Sequence, residues 1–239
     1  MKKSTFLIVI LLLCNKILSA QSSYNFTGYS IGAGGGIARA DADLAQHISK
    51  SAFFVNFNYN YSPFTTFTAE VQAGNLAGGN PKTDKDTRAF VNSFQAILFY
   101  ADFQAGEIID YDNRPVLNVI KNFYAGTGFG VIHNHMTFIQ RNSIIDPSYV
   151  FPGQNASTEL MLPLRIGYEF KFYNQYLEPF VRLSVGYQMN WVYGEGLDGY
   201  NDPPDAFKNR HVDRYSLTNL CLKYSFGNPV SYKKPIRRF

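Results

Sequence analysis

A chain of 239 residues suits one domain of ordinary size, and its 21 Phe and 17 Tyr make it aromatic-rich. Beyond residue 20 no run approaches the roughly 20 apolar residues of a membrane helix, which excludes a helical membrane protein. The formal charge of +4 owes much to Lys2, Lys3 and Lys16; without them 19 basic residues face 18 acidic ones, so there is no electrostatic case for nucleic acid.

Residues 1–20 read as a cleaved secretory signal. Lys2 and Lys3 form its basic start, Phe6 to Leu13 its apolar core, and Leu18-Ser19-Ala20 its cleavage site. Only Cys221 then remains, which leaves no intramolecular disulfide.

From Tyr29 onward the chain alternates between two kinds of side chain, as strands with unlike faces do. The first strand is Tyr29 to Ile37, with Tyr29, Ile31, Ala33 and Ile37 on one face. The second, Phe53 to Tyr61, sets Phe53, Val55, Phe57, Tyr59 and Tyr61 against Asn56, Asn58 and Asn60. Thr65 to Ala73 is the third, with Phe67, Ala69 and Val71 facing out and Thr66, Thr68, Glu70 and Gln72 facing in. The fourth, Ala89 to Ala101, carries aromatics on both faces and its sides stay undecided. Pro115 to Ile120 reads as a short helix, and Phe123 to His133 as a fifth strand with Tyr124, Gly126, Gly128 and Gly130 on one face.

The alternation is cleanest in strands six and seven. Leu160, Leu162, Leu164, Ile166, Tyr168, Phe170 and Phe172 share one parity, with Glu159, Arg165, Gly167, Glu169 and Lys171 on the other. After Asn174-Gln175 it resumes with Val181, Leu183, Val185, Tyr187, Met189 and Trp191 opposed to Glu178, Arg182, Ser184, Gly186, Gln188 and Asn190. Tyr215 to Phe226 is the eighth strand, with Leu220, Leu222, Tyr224 and Phe226 facing out and Lys223 facing in. A two-residue loop at Asn174-Gln175 puts Lys171 opposite Glu178 and Glu169 diagonal to Arg182.

Short turns at Ser62-Pro63-Phe64 and Asn174-Gln175 alternate with longer connections at 38–52, 74–88, 134–157 and 194–214. Residues 102–122 break that rule. Tyr59, Tyr61, Phe64, Tyr173, Tyr176, Tyr224 and Phe226 cluster near the short turns, and Tyr187, Trp191 and Tyr193 near the long ones, as two interfacial belts. Together these features predict an all-β chain, an eight-stranded antiparallel transmembrane β-barrel over residues 21–227. A basic tail over 228–239 carries Lys233, Lys234, Arg237 and Arg238.

Tyr29-Ser30-Ile31-Gly32-Ala33-Gly34-Gly35-Gly36, Tyr124-Ala125-Gly126-Thr127-Gly128-Phe129-Gly130 and Leu222-Lys223-Tyr224-Ser225-Phe226-Gly227 resemble the outer membrane β-barrel domains of Bacteroidota, similar to the OmpA/OmpX class. The resemblance implies an outer-membrane location, with lipid and lipopolysaccharide around the barrel. It also implies that Phe226 stands in for the aromatic strand end read by the barrel-assembly machinery.

Glu70, Arg165, Glu169, Lys171, Glu178, Arg182 and Lys223 are the charged residues of the expected lumen. Mixed signs favour a plug over a selective pore, since eight strands leave a lumen just wide enough for side chains. His133 and His135 share a parity but lack metal-site spacing, and no cofactor is called for. His211 with Asp213 and Ser216, or His135 with Ser143, supply the residue types of a lipid A-modifying enzyme without a nucleophile motif around them. The turn-rich stretch Gly194 to Asp205 reads as a solvated loop. The expected role is non-catalytic: a structural barrel, or one that meets an extracellular ligand through its outer loops. The alternatives are that enzyme or a narrow gated pore.

Overall fold

In the computed structural model, which describes residues 24–41, 46–82, 87–111, 114–201 and 213–232, eight antiparallel strands close on themselves in chain order. They are β1 (Tyr24–Asp41), β2 (His47–Asn60), β3 (Thr65–Gly79), β4 (Ala89–Gln104), β5 (Phe123–Ile139), β6 (Ala156–Tyr173), β7 (Pro179–Tyr193) and β8 (Arg214–Tyr232). A short helix, α1 (Pro115–Ile120), lies between β4 and β5 at the expected place, with proline in its first turn where the missing N–H costs nothing. The expected signal, His211 and the four basic residues from Lys233 on fall outside the described residues.

Closure leaves no sheet edge, and the outside is apolar. Tyr29, Ile31, Ile37, Phe53, Val55, Phe57, Phe67, Val71, Ile97, Phe99, Phe129, Leu164, Ile166 and Leu222 are all exposed there. Toward the long loops this belt ends at a polar rim, where Ile37 gives way to Arg39, Phe53 to Ser51, Ile97 to Gln95, Val131 to His133 and Leu160 to Thr158. The stretch from Tyr29 to Ile37 is the ~9–11 residues that a tilted strand needs to cross hydrocarbon. This is a transmembrane β-barrel, with the alternation of apolar outside and packed inside that such barrels require.

The strands run well beyond the expected bounds at the long-loop end. β5 continues to Ile139, and the connections shrink to 42–46, 80–88, 140–155 and 194–213. Ala38, Ala40, Ala52, Leu76, Phe90 and Met136 keep filling the interior there, so the barrel stays closed above the belt. β8 likewise passes Phe226 and pairs Pro229 to Tyr232 with Tyr24 to Thr27, so residues 228–232 belong to the sheet and not to a tail.

The β6–β7 register differs from the expected one. Lys171 pairs with Arg182, Glu169 with Ser184 and Phe170 with Leu183. The turn extends from Asn174 to Glu178: Asn174 N–H donates to Glu178 O (2.9 Å), Leu177 takes φ 61°, and Asn174 Oδ1 accepts from the Tyr176 and Glu178 amides. An asparagine side chain bonding its own turn stabilises a wider loop than a two-residue hairpin. Because the slip is even, side chains from Val181 onward keep their faces, while the bulge between Phe172 and Tyr173 turns Pro179 inward and leaves Phe180 exposed.

Two local devices close the wall. Tyr124 crosses the inside of the sheet over Gly167 and Gly186; a Cβ on Gly186 would lie 2.3 Å from its hydroxyl and one on Gly167 2.5 Å. Near mid-span, Pro163 lies within β6, where a proline removes a ladder bond. Pairing between β5 and β6 runs to Thr127↔Leu164 and resumes at Gly130↔Met161. Thr127 Oγ1 donates to Pro163 O (3.0 Å), which satisfies that carbonyl on the lipid side. Thr127→Val should therefore cost about 1–3 kcal/mol, read as a lower urea midpoint of the refolded barrel, with no change in span.

Candidate functional site: the plugged interior and the outer mouth

The interior is divided by height. Its half nearer the short turns holds the clustered ion pairs, and its half nearer the long loops is filled mainly by apolar side chains, with Asn92, Asn134 and Asn190 among them and Asp198 and Asp213 at its mouth. Six of the seven predicted lumen residues face inward: Glu70, Arg165, Glu169, Lys171, Arg182 and Lys223. Glu178 does not. It sits in the β6–β7 turn and accepts from Asn174 Nδ2 at 3.1 Å. Its expected partner, Lys171, instead donates to Pro63 O and Gln104 Oε1, each at 2.6 Å, and lies over the Phe64 ring at 4.6 Å.

The six form two groups. In the lower one Glu169 is 1% exposed and receives Lys223 Nζ at 2.9 Å, Arg182 Nη1 at 3.6 Å, Gln104 Nε2 at 3.0 Å and Ser184 Oγ at 3.3 Å. The expected Glu169–Arg182 contact thus forms, through the opposite diagonal from the one first drawn. Arg182 also donates to Asn60 Oδ1 (3.0 Å) and to Ser30 Oγ. In the upper group Arg165 Nε donates to Asp102 Oδ1 at 3.1 Å and Nη1 to Gln188 Oε1 at 2.6 Å. Its guanidinium stacks on Tyr100 at 3.8 Å, and Glu70 accepts from Tyr100 OH and Gln72 Nε2 at 2.7 Å each and from Asn56 Nδ2 at 3.2 Å. Buried charges need this degree of pairing and hydrogen bonding.

Asp102 is the member that sequence reasoning missed, because the fourth strand was ended at Ala101. Its signal was parity: Leu98, Tyr100, Asp102 and Gln104 share the buried face of β4.

Above these groups the barrel holds a packed apolar core of Phe54, Leu76, Phe90, Phe94, Leu98, Ile132, Met161, Tyr215 and Leu217. The loop from Gly194 onward caps it and is not solvated as expected: Gly196 to Tyr200 are buried, and Leu197 is 0% exposed. Glu159 accepts the Gly196 amide (2.8 Å), Asp213 the Leu197 amide (3.2 Å), and Asn92 Nδ2 donates to Leu197 O (2.9 Å). Tyr200 OH lies 2.9–3.1 Å from Ala89 N, Ala89 O and Gln140 O, which ties the loop to β4 and β5. Burial, then Asp198, Glu195 and Glu159, raise the Asp213 carboxyl to about 9. At the other mouth Gly106, Tyr111 and Lys121 are buried. Phe64, expected in an interfacial belt, turns inward and packs on Tyr111 and Tyr232.

The remaining belt residues sit on the outer surface or rim. Tyr59, Tyr61, Tyr176, Tyr193, Tyr224 and Phe226 are exposed, and Tyr173 and Trp191 are half-buried. His133 and His135 also face out; His133 Nδ1 meets Thr158 Oγ1 at 2.8 Å. Ser143 Oγ accepts the Asp146 amide at 3.1 Å, and no hydrogen bond joins it to His135 among the described residues. No group of three or more His, Cys, Asp or Glu among the described residues could hold a metal.

The 140–155 loop is pinned by an Asn142↔Val150 bridge and by Arg141 Nη2 on Asn155 Oδ1 (2.8 Å). A second bridge, Gly153↔Tyr200, ties it to the capping loop. It holds Ile144 57%, Ile145 73% and Val150 57% exposed, above the polar rim.

No family model and no curated protein matches the sequence. Among solved structures the chain is similar to Neisserial surface protein A, at 13% identity over 84% of this chain and 98% of that one, with a TM-score of 0.48. It is similar to Ail, the attachment invasion locus protein of Yersinia pestis, at 12% identity over 84% and 99%, with a TM-score of 0.43. It is also similar to OprG of Pseudomonas aeruginosa, at 11% identity over 85% and 98%, with a TM-score of 0.34.

Proposed function

We propose that this chain is a non-conducting, non-catalytic outer-membrane barrel whose outer loops contact an extracellular partner. The observation that carries the reading is a closed barrel packed with paired charges and apolar side chains, with a pinned loop that holds Ile144, Ile145 and Val150 in water. Apolar groups held in water together on a pinned loop fit a contact site. The sign-mixed, hydrogen-bonded interior and the buried Gly196 to Tyr200 cap favour a plug over a pore. The export signal and the resemblance to Bacteroidota barrels support placement in an outer membrane, reached through the barrel-assembly machinery and surrounded by lipopolysaccharide.

Three measurements test this. The purified chain should give no single-channel steps in planar bilayers. Lipid A mass spectra should be the same with and without the gene. In a cell-adhesion assay, Ile144→Ser with Ile145→Ser should lower surface binding at least tenfold, the loss of one or two anchors of about 2 kcal/mol. Barrel stability should hold within about 0.5 kcal/mol. Unaltered adhesion in that double variant would remove the loop from the function.

A further inference from the structure

Near the short-turn end, the interior contains a cavity of about 10 Å³ bordered by Thr27, Asn60, Lys171, Arg182 and Ser225, enough for one water-sized occupant. Two buried polar atoms on its border have no protein partner: Arg182 Nε, on a residue 4% exposed, and Thr27 Oγ1, on one 9% exposed. Apart from the Thr27 and Ser225 hydroxyls, the acceptors around the cavity are taken. Asn60 Nδ2 donates to Thr27 O, Lys171 to Pro63 O, and Asn60 Oδ1 receives Arg182 and Thr66. Ser62 Oγ receives the Phe64 and Thr65 amides and donates to Glu107.

Charge points the same way. Glu169 is the only carboxylate in contact with Arg182 and Lys223 among the described residues, and Gln104 links it to Lys171. Three cations therefore share one anion in the lower half. The opposite imbalance, Glu70 and Asp102 against Arg165, sits one group higher. Glu107, on the lid side of Ser62, is engaged by the hydroxyls of Ser62, Thr65 and Tyr232. The Thr27 and Ser225 hydroxyls can accept from a water, so the excess of positive charge, and not a want of acceptors, is what favours an anion here.

We propose that this cavity binds one monatomic anion, chloride, held by Arg182 Nε–H, the Thr27 hydroxyl and the field of Lys171. The ion neutralises part of the cationic excess inside the barrel and so acts as a structural component of the plug.

The test uses the full chain. Crystals soaked in bromide should show an anomalous peak between Arg182 Nε and Thr27 Oγ1, weakened in Thr27→Val and in Lys171→Met. In parallel, the unfolding midpoint at fixed ionic strength should be about 2–4 °C higher in chloride than in gluconate, a shift that either variant abolishes. If one variant does not fold, the other carries the comparison. A water without anomalous signal at that position, or a wild-type midpoint indifferent to the anion, overturns the assignment.

Discussion

Glu169→Gln should be the most damaging conservative substitution in the barrel, lowering its unfolding free energy by about 3–5 kcal/mol. The side chain keeps its shape, but Lys223 at 2.9 Å and Arg182 at 3.6 Å lose their only carboxylate among the described residues. The cost of a buried charge left without its partner exceeds the net worth of the pair, so the loss is large even if the intact pair contributes little. Urea titration of the protein refolded in lipid vesicles, followed by the fluorescence of Trp191, measures it. Adding Lys223→Met to Glu169→Gln should recover part of the loss, since it removes one of the stranded cations. Glu178→Gln is the internal control and should stay within about 0.5 kcal/mol, because among the described residues Glu178 bonds only within its own turn. If Glu178→Gln proved the costly change and Glu169→Gln the silent one, the register with Lys171 opposite Glu178 would be restored and the one described here would fall.

That contrast also marks where the residues stop being readable from their order. Strand faces were legible nearly everywhere, because alternation is a property of each strand alone and survives any even slip. Register was not, because it depends on the turn. Asn174 bonding the Tyr176 and Glu178 amides, with Leu177 in the left-handed region, is a tertiary outcome that a dipeptide Asn-Gln does not announce. β4 stayed undecided for a different reason. The test of apolar outside and polar inside assumes a wet or charged lumen, and Phe90, Phe94 and Leu98 fill an apolar one. Asp102 was lost with it. The capping loop looked solvated because Gly, Asp and Pro dominate its composition; Leu197 and Tyr200 were its only sign of a buried destination, and they bury against β4, the 140–155 loop and Asp213.

Closure of the outer mouth should weaken as pH rises, and Asp213 sets the direction. Its carboxyl is raised from about 3.8 to about 9 in the closed loop, by burial first and then by Asp198, Glu195 and Glu159. Arg88 and Arg141 face this loop from its other side, near Tyr200. A group raised in the closed state contributes stability that is complete below about 3.8 and is lost as pH climbs through about 9. One proton bound in the closed state and released in the open one gives a slope of up to about 1.4 kcal/mol per pH unit, or tenfold in the open population. Docking of a single loop is a local equilibrium of far smaller free energy than the barrel, so the mouth opens while the strands stay paired. Protease cleavage within the loop, corrected by an unfolded reference peptide at each pH, should rise steeply between pH 6 and 9 and level off above. Asp213→Asn, which keeps an acceptor for the Leu197 amide and cannot ionise, should flatten that rise and leave the heat-dependent gel shift of the barrel unchanged. A wild-type profile as flat as that of the variant would mean that the carboxyl ionises with the loop still in place, held by Tyr200 and Asn92.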